Sequence, residues 1–187
     1  MVKSDPPPVV DSVGRIPDAA LTSILKAMQQ LLLTPHRASV GIGLSDQLDR
    51  TRLDFTFESL QEIDRYLTAV HEESETIAGL PLLSTVWTLA MYVGEVIRRG
   101  APARRFEWVT VGEPAGATGD TTINYPDLGV IRALQARDGE FCMPSRVVMR
   151  IILRGANART ISSFARAAMR LTPPPDTPVS GTHHESS

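Results

Sequence analysis

Residues 81–100 read PLLSTVWTLAMYVGEVIRRG, and two residues later the chain continues as ARRFEWVTV over 103–111. The change of period between these stretches decides the fold class. In the first, Leu82, Val86, Leu89, Ala90, Val93, Val96 and Ile97 return to one side at about 100° per residue, the mark of a helix with a broad apolar face. Pro81 suits a first helical turn, Gly100 suits the left-handed position just past a helix end, and Pro102 stops any continuation. In the second stretch, Phe106, Trp108 and Thr110 alternate with Glu107, Val109 and Val111, which predicts a strand over 105–111 with one apolar face. A long helix feeding directly into a strand is the centre of the molecule.

The other side of that helix is polar. Thr88, Tyr92, Glu95 and Arg99 project together, and Glu95 precedes Arg99 by four residues, the favoured order for an ion pair along a helix. Gly94, in mid-helix, costs about 1 kcal/mol against alanine, so another segment is expected to pack close to the backbone there. Tyr92, Glu95, Arg98 and Arg99, with Trp108 from the strand, form the first candidate binding set. They can line a pocket between the third helix and a β-hairpin, with Glu95 as acid or base and the arginines holding an anion. They can equally form an internal network that ties helix to sheet, and Glu95 is expected to be partly buried.

Toward the N-terminus, Leu21, Ile24, Leu25, Met28, Leu31 and Leu32 predict a helix that starts near Pro17 or Asp18 and ends before Pro35. Residues 36–52 read as a loop or short strand. Thr56 is the expected N-cap of a second helix over 57–73, whose buried stripe is Leu60, Ile63, Leu67 and Val70. His71 lies beside that stripe and is expected at the surface.

Toward the C-terminus, the Gly- and Pro-rich 112–119 leads to a predicted strand over 121–125, the expected antiparallel partner of 105–111. Residues 130–136 read as a third strand or a short helix, and 140–142 as a strand-like piece after the Asp138–Gly139 turn. Val147, Val148, Ile151 and Ile152 restore the helical period from Pro144 until Gly155 closes it. A last helix over 159–171 buries Ile161, Phe164, Ala165 and Ala168. Helices, then strands, then helices predict an α+β fold: about five helices packed on a small, mainly antiparallel sheet.

Bulk composition sets the limits. The chain has 187 residues, 42% of them hydrophobic, which matches one domain, assigned to 15–172. Pro6 to Pro8 at one end and Pro173 to Pro175 and Pro178 at the other, among polar residues, predict disordered tails over 1–14 and 173–187. The apolar runs 31–33 and 80–83 are far short of the roughly 18 residues a membrane helix requires, so no membrane partner is expected. The first eight residues lack a secretory signal, and the lone Cys142 fits a reducing compartment; both point to the cytoplasm.

Charge is unevenly spread. Residues 1–80 carry seven basic and twelve acidic side chains, residues 81–175 twelve basic and seven acidic, and every basic residue of the second stretch is arginine. Arginine favours planar, bidentate partners such as carboxylates and phosphates, although a GC-rich genome produces the same bias. Arg146, Arg150 and Arg154, spaced by four, form a second candidate, a basic helix face. With a sequence pI of about 6.1 and few interleaved aromatics, a solvated face is favoured over specific nucleic-acid binding.

Signatures of chemistry are missing from the sequence. There is no spacing of His and Cys suited to a metal, no phosphate loop, and no nucleophile elbow; Gly41 and Gly43 lack the third glycine of a dinucleotide fingerprint. No catalytic residue, metal ligand or cofactor is assigned. The stretches 53–60 (LDFTFESL) and 92–99 (YVGEVIRR), followed by the aromatic-bearing strand at Trp108, resemble a pattern in small bacterial proteins of unknown function. That resemblance implies a compact α+β domain and transfers no activity. The expectation is a cytoplasmic, non-enzymatic protein-interaction module, an adaptor or immunity-like protein; the alternative is a ligand-binding or enzymatic domain using the Glu95 pocket.

Overall fold

The computed structural model describes residues 13–33, 42–73, 80–111, 131–156 and 159–170. Five helices pack on a four-stranded antiparallel sheet among these residues: α1 (Asp18–Leu33), α2 (Leu60–Glu72), α3 (Leu80–Gly100), α4 (Pro144–Arg154) and α5 (Ile161–Met169), with β1 (Val13–Arg15), β2 (Glu107–Val111), β3 (Ile131–Gln135) and β4 (Phe141–Cys142). Spatial order in the sheet follows chain order, β1-β2-β3-β4. The expected α+β architecture is therefore the observed one.

The helix α3 is the hub. It touches α1, α4, α5 and β3, and its Glu95 bonds to β2, while α2 packs on α4 and α5. Its buried positions include Val86, Leu89, Ala90, Met91, Tyr92, Val93, Val96 and Ile97, and from Thr88 to Ile97 burial runs around the whole helix without a break. A helix apolar on one side only would leave half of these in water. The expected division into a buried and an outward polar face is thus corrected: the 53–59 loop and β2 cover the side that carries Tyr92 and Glu95.

The sheet is also covered on both sides. Trp108 pairs with Leu134 across β2 and β3 and belongs to the main core, whereas their neighbours Val109 and Ala133 pair with one another and form a second buried cluster with Val111. Side chains alternate along a strand, so the second cluster lies on the face away from Trp108, with Phe141 and Met143 packed against it. The expectation of a single apolar face on this strand is corrected accordingly. Among the described residues β2 pairs with β1 on one side and β3 on the other; the strand expected over 121–125 lies outside the described residues, as do the tails apart from Val13 and Gly14. Those two were assigned to the N-terminal tail, but they pair with Val111 and Thr110 at the sheet edge.

Several local expectations change for physical reasons. Gly100 ends α3 without a left-handed backbone; a Cβ there would lie 2.5 Å from the Met169 sulfur, so the end of α5 packs closely on this glycine. Thr56 caps one turn early: its hydroxyl accepts the Ser59 N–H at 3.3 Å, and α2 proper begins at Leu60. His71 is half-buried rather than on the surface, its Nδ1 lying 2.8 Å from the Ile152 carbonyl, where it joins α2 to the end of α4. Gly155 follows with φ +75° and ends α4 as expected.

Candidate functional site

Glu95 sits in the last turns of α3 with no solvent exposure. A buried carboxylate is tolerated only when paired and hydrogen-bonded, and four donors surround this one. Oε1 accepts the Trp108 Nε1–H at 2.8 Å and the Arg98 Nε–H at 2.8 Å; Oε2 accepts Arg98 Nη2 at 2.9 Å and Arg99 Nε at 3.3 Å. Burial pushes the Glu95 pKa up, but the hydrogen bonds from Arg98 and Trp108 and the two guanidinium charges outweigh it, and the group is held below the ordinary glutamate value.

Trp108 reaches this carboxylate because Gly94 lets it. A Cβ at Gly94 would lie 2.2 Å from Cη2 and 2.4 Å from Cζ2 of the indole, so β2 could not approach α3 this closely over any other residue. The close packing expected at Gly94 is the observed packing, and Trp108 is the group responsible. Arg98 and Arg99, 39% and 47% exposed, lie at the rim with their inner edges on Glu95.

Tyr92 joins through the loop 53–59. Its hydroxyl accepts the Phe55 N–H at 3.1 Å and lies 2.7 Å from the Ser59 hydroxyl. Burial, resisted by the Ser59 hydrogen bond, raises its pKa. The Phe55 ring stacks against Tyr92 with centroids 4.7 Å apart, and the Arg99 guanidinium lies 4.2 Å from the Phe55 centroid. Phe55 holds a left-handed backbone, φ +63°, a conformation uncommon for an aromatic residue and fixed here by the Tyr92 contacts. The five residues of the first candidate set are thus brought together, with Phe55 and Ser59 added to them. Glu95 is more deeply buried than expected.

This arrangement has a chemical consequence. A carboxylate offers about four acceptor positions, and all four are occupied by protein donors. A general base needs a free lone pair and a pKa near the working pH; Glu95 has neither in this geometry.

The second candidate set is differently placed. Arg150 and Arg154 are exposed on α4, Arg146 is half-buried, and Leu153, 42% exposed, stands among them. Arginines elsewhere serve the fold. Arg104, with only 10% of its side chain exposed, bonds the Ala168 carbonyl at 2.7 Å and pairs with Asp138 and Glu140, which Arg170 also meets.

Two further buried or half-buried carboxylates escaped sequence reasoning. Glu62, 2% exposed, accepts the Asp49 N–H at 2.8 Å and pairs with Arg65 and Arg52; the Arg65 hydrogen bond, working against burial, lowers its pKa. Asp64 accepts the Ile161 and Ser162 N–H groups at 2.6 and 3.1 Å and the Ser162 hydroxyl at 2.6 Å. It thereby satisfies the first turn of α5 from a neighbouring helix. The Glu62–Arg65 spacing was a visible signal; nothing local announced Asp64.

Among the described residues, no three His, Cys, Asp or Glu side chains gather in a manner that could hold a metal, and no helix is long and apolar enough to cross a membrane. Cys142 is buried, and its thiol is pushed up to about 12, chiefly by burial. No protein-family model, curated protein or solved structure matches this chain.

Proposed function

We propose that this chain is a non-enzymatic protein-interaction module of the cytoplasm, an adaptor or immunity-like protein that engages one protein partner through its arginine-bearing surface. The observation that carries the reading is the saturation of Glu95. The one acidic group that sequence placed in a prospective pocket spends its acceptor positions on Trp108, Arg98 and Arg99, which suits a fixed scaffold better than a reaction centre. Arginine is among the residues enriched where proteins meet, and the exposed Arg99, Arg150 and Arg154, with half-buried Arg98, supply it.

The test is recovery of the full-length chain, tagged and cross-linked in its native host, together with native mass spectrometry of the purified chain. The reading predicts one protein recovered at near-stoichiometric yield, displaced by untagged chain, and a purified chain with no added small-molecule mass. A chain that carries a bound metabolite and recovers no protein contradicts it.

A further inference from the structure

Arg99 is held on two sides and open on a third. Its Nε–H is fixed on Glu95 Oε2 at 3.3 Å, and its guanidinium carbon lies 4.2 Å from the centroid of Phe55, whose ring and N–H are in turn held by Tyr92. Yet Nη1 and Nη2 have no hydrogen-bond partner among the described residues, and 47% of the side chain is exposed. The two terminal nitrogens of a guanidinium form a planar fork that matches a carboxylate with two parallel hydrogen bonds. An ordinary surface arginine must first lose its rotamer freedom to present that fork; here the glutamate and the phenylalanine have already fixed it, and pre-organisation of this kind favours affinity.

Charge points the same way. Arg98 and Arg99 share the single carboxylate of Glu95, which leaves one positive charge unbalanced at the rim. The carbonyl end of α3 offsets part of it, and Asp54, close enough to act on Tyr92, stands on the adjoining loop. A doubly charged phosphate is therefore less suited to this rim than a singly charged, planar carboxylate. We propose that the Nη edge of Arg99, with Arg98 beside it, receives an aspartate or glutamate side chain from an acidic segment of a partner protein. This rests on the reading of the chain as an interaction module and names the contact that such a module uses.

The test follows the arginine Nε–H and tryptophan indole signals of the ¹⁵N-labelled full-length chain at constant ionic strength during addition of a hexaglutamate peptide, and separately of inorganic phosphate. The expected result is a saturable shift of the Arg99 signal with hexaglutamate. Arg99→Lys, which keeps the charge but loses the fork, should weaken binding, read in both proteins on the Arg98 Nε–H signal, about tenfold while leaving the Trp108 indole signal in place. Equal binding by Arg99→Lys, tighter binding of phosphate than of hexaglutamate, or no saturable shift overturns the assignment. Recovery of a protein partner equally by wild type and Arg99→Lys would overturn the Arg99 contact and leave the module reading standing, whereas recovery of none by wild type removes the reading itself.

Discussion

The Trp108 indole nitrogen donates to Glu95 Oε1 across 2.8 Å, with both side chains buried and the ring resting on the backbone of Gly94. This contact fastens β2 to the helix that precedes it and supplies the one donor to Glu95 that cannot turn to water. Arg98 and Arg99, half-exposed, can rehydrate if the carboxylate is removed; the indole N–H cannot. An orphaned buried donor costs about 1–3 kcal/mol, so Trp108, more than the ion pairs, sets the penalty for losing Glu95.

Gly94→Ala should destabilise the protein by about 2 kcal/mol or more, the scale of overpacking a core. Helix propensity alone predicts the opposite sign, a gain of about 1 kcal/mol. Chemical denaturation decides between them. Trp108→Leu in the same chain should recover part of the loss, since the two residues are in direct contact and their effects should not add. A stabilised Gly94→Ala would show that the indole does not rest there.

Acid should act through the buried carboxylates. Glu95 and Glu62 are both held below the ordinary value of 4.5 in the folded chain. A carboxylate with a lowered folded pKa contributes stability above its unfolded pKa and loses it as pH falls through the folded one. Stability measured by denaturation should therefore be level above about pH 5 and decline below it, and Glu95→Gln should decline less steeply than wild type. An identical acid profile for the two proteins would contradict the lowered pKa of Glu95.

Asp64→Ala should cost about 1–2 kcal/mol, the scale of losing a helix N-cap, although Asp64 lies in α2 and the helix it serves is α5. Hydrogen exchange at the Ile161 and Ser162 amides should accelerate well before that of α3. Unchanged exchange at both amides would show that Thr160, whose side chain accepts the Ser163 N–H, caps α5 without help.

How much of this was legible in the sequence follows from how far each signal had to travel along the chain. The long apolar period of α3, the four-residue step from Glu95 to Arg99, and the glycine just before Glu95 were local, and they located the cluster and the close packing. Its full burial was not local, because it depends on a strand and on the loop 53–59 folding over a helix side whose own composition reads as polar. The same holds for the unforeseen carboxylates: Glu62 meets a backbone amide 13 residues away and Asp64 one 97 residues away. Three-residue β1 carries too short a pattern to register as a strand, and its place is set by pairing with β2.

Denaturation of Glu95→Ala beside Glu95→Gln tests most directly the claim that Glu95 is a buried anchor. Glu95→Ala leaves the Trp108 N–H without an acceptor and a cavity beside it, and should lose about 3 kcal/mol or more. Glu95→Gln keeps one acceptor oxygen of similar size and should fall between that variant and wild type. Wild-type midpoints for both variants would contradict the account and make Glu95, with its arginines, ordinary surface.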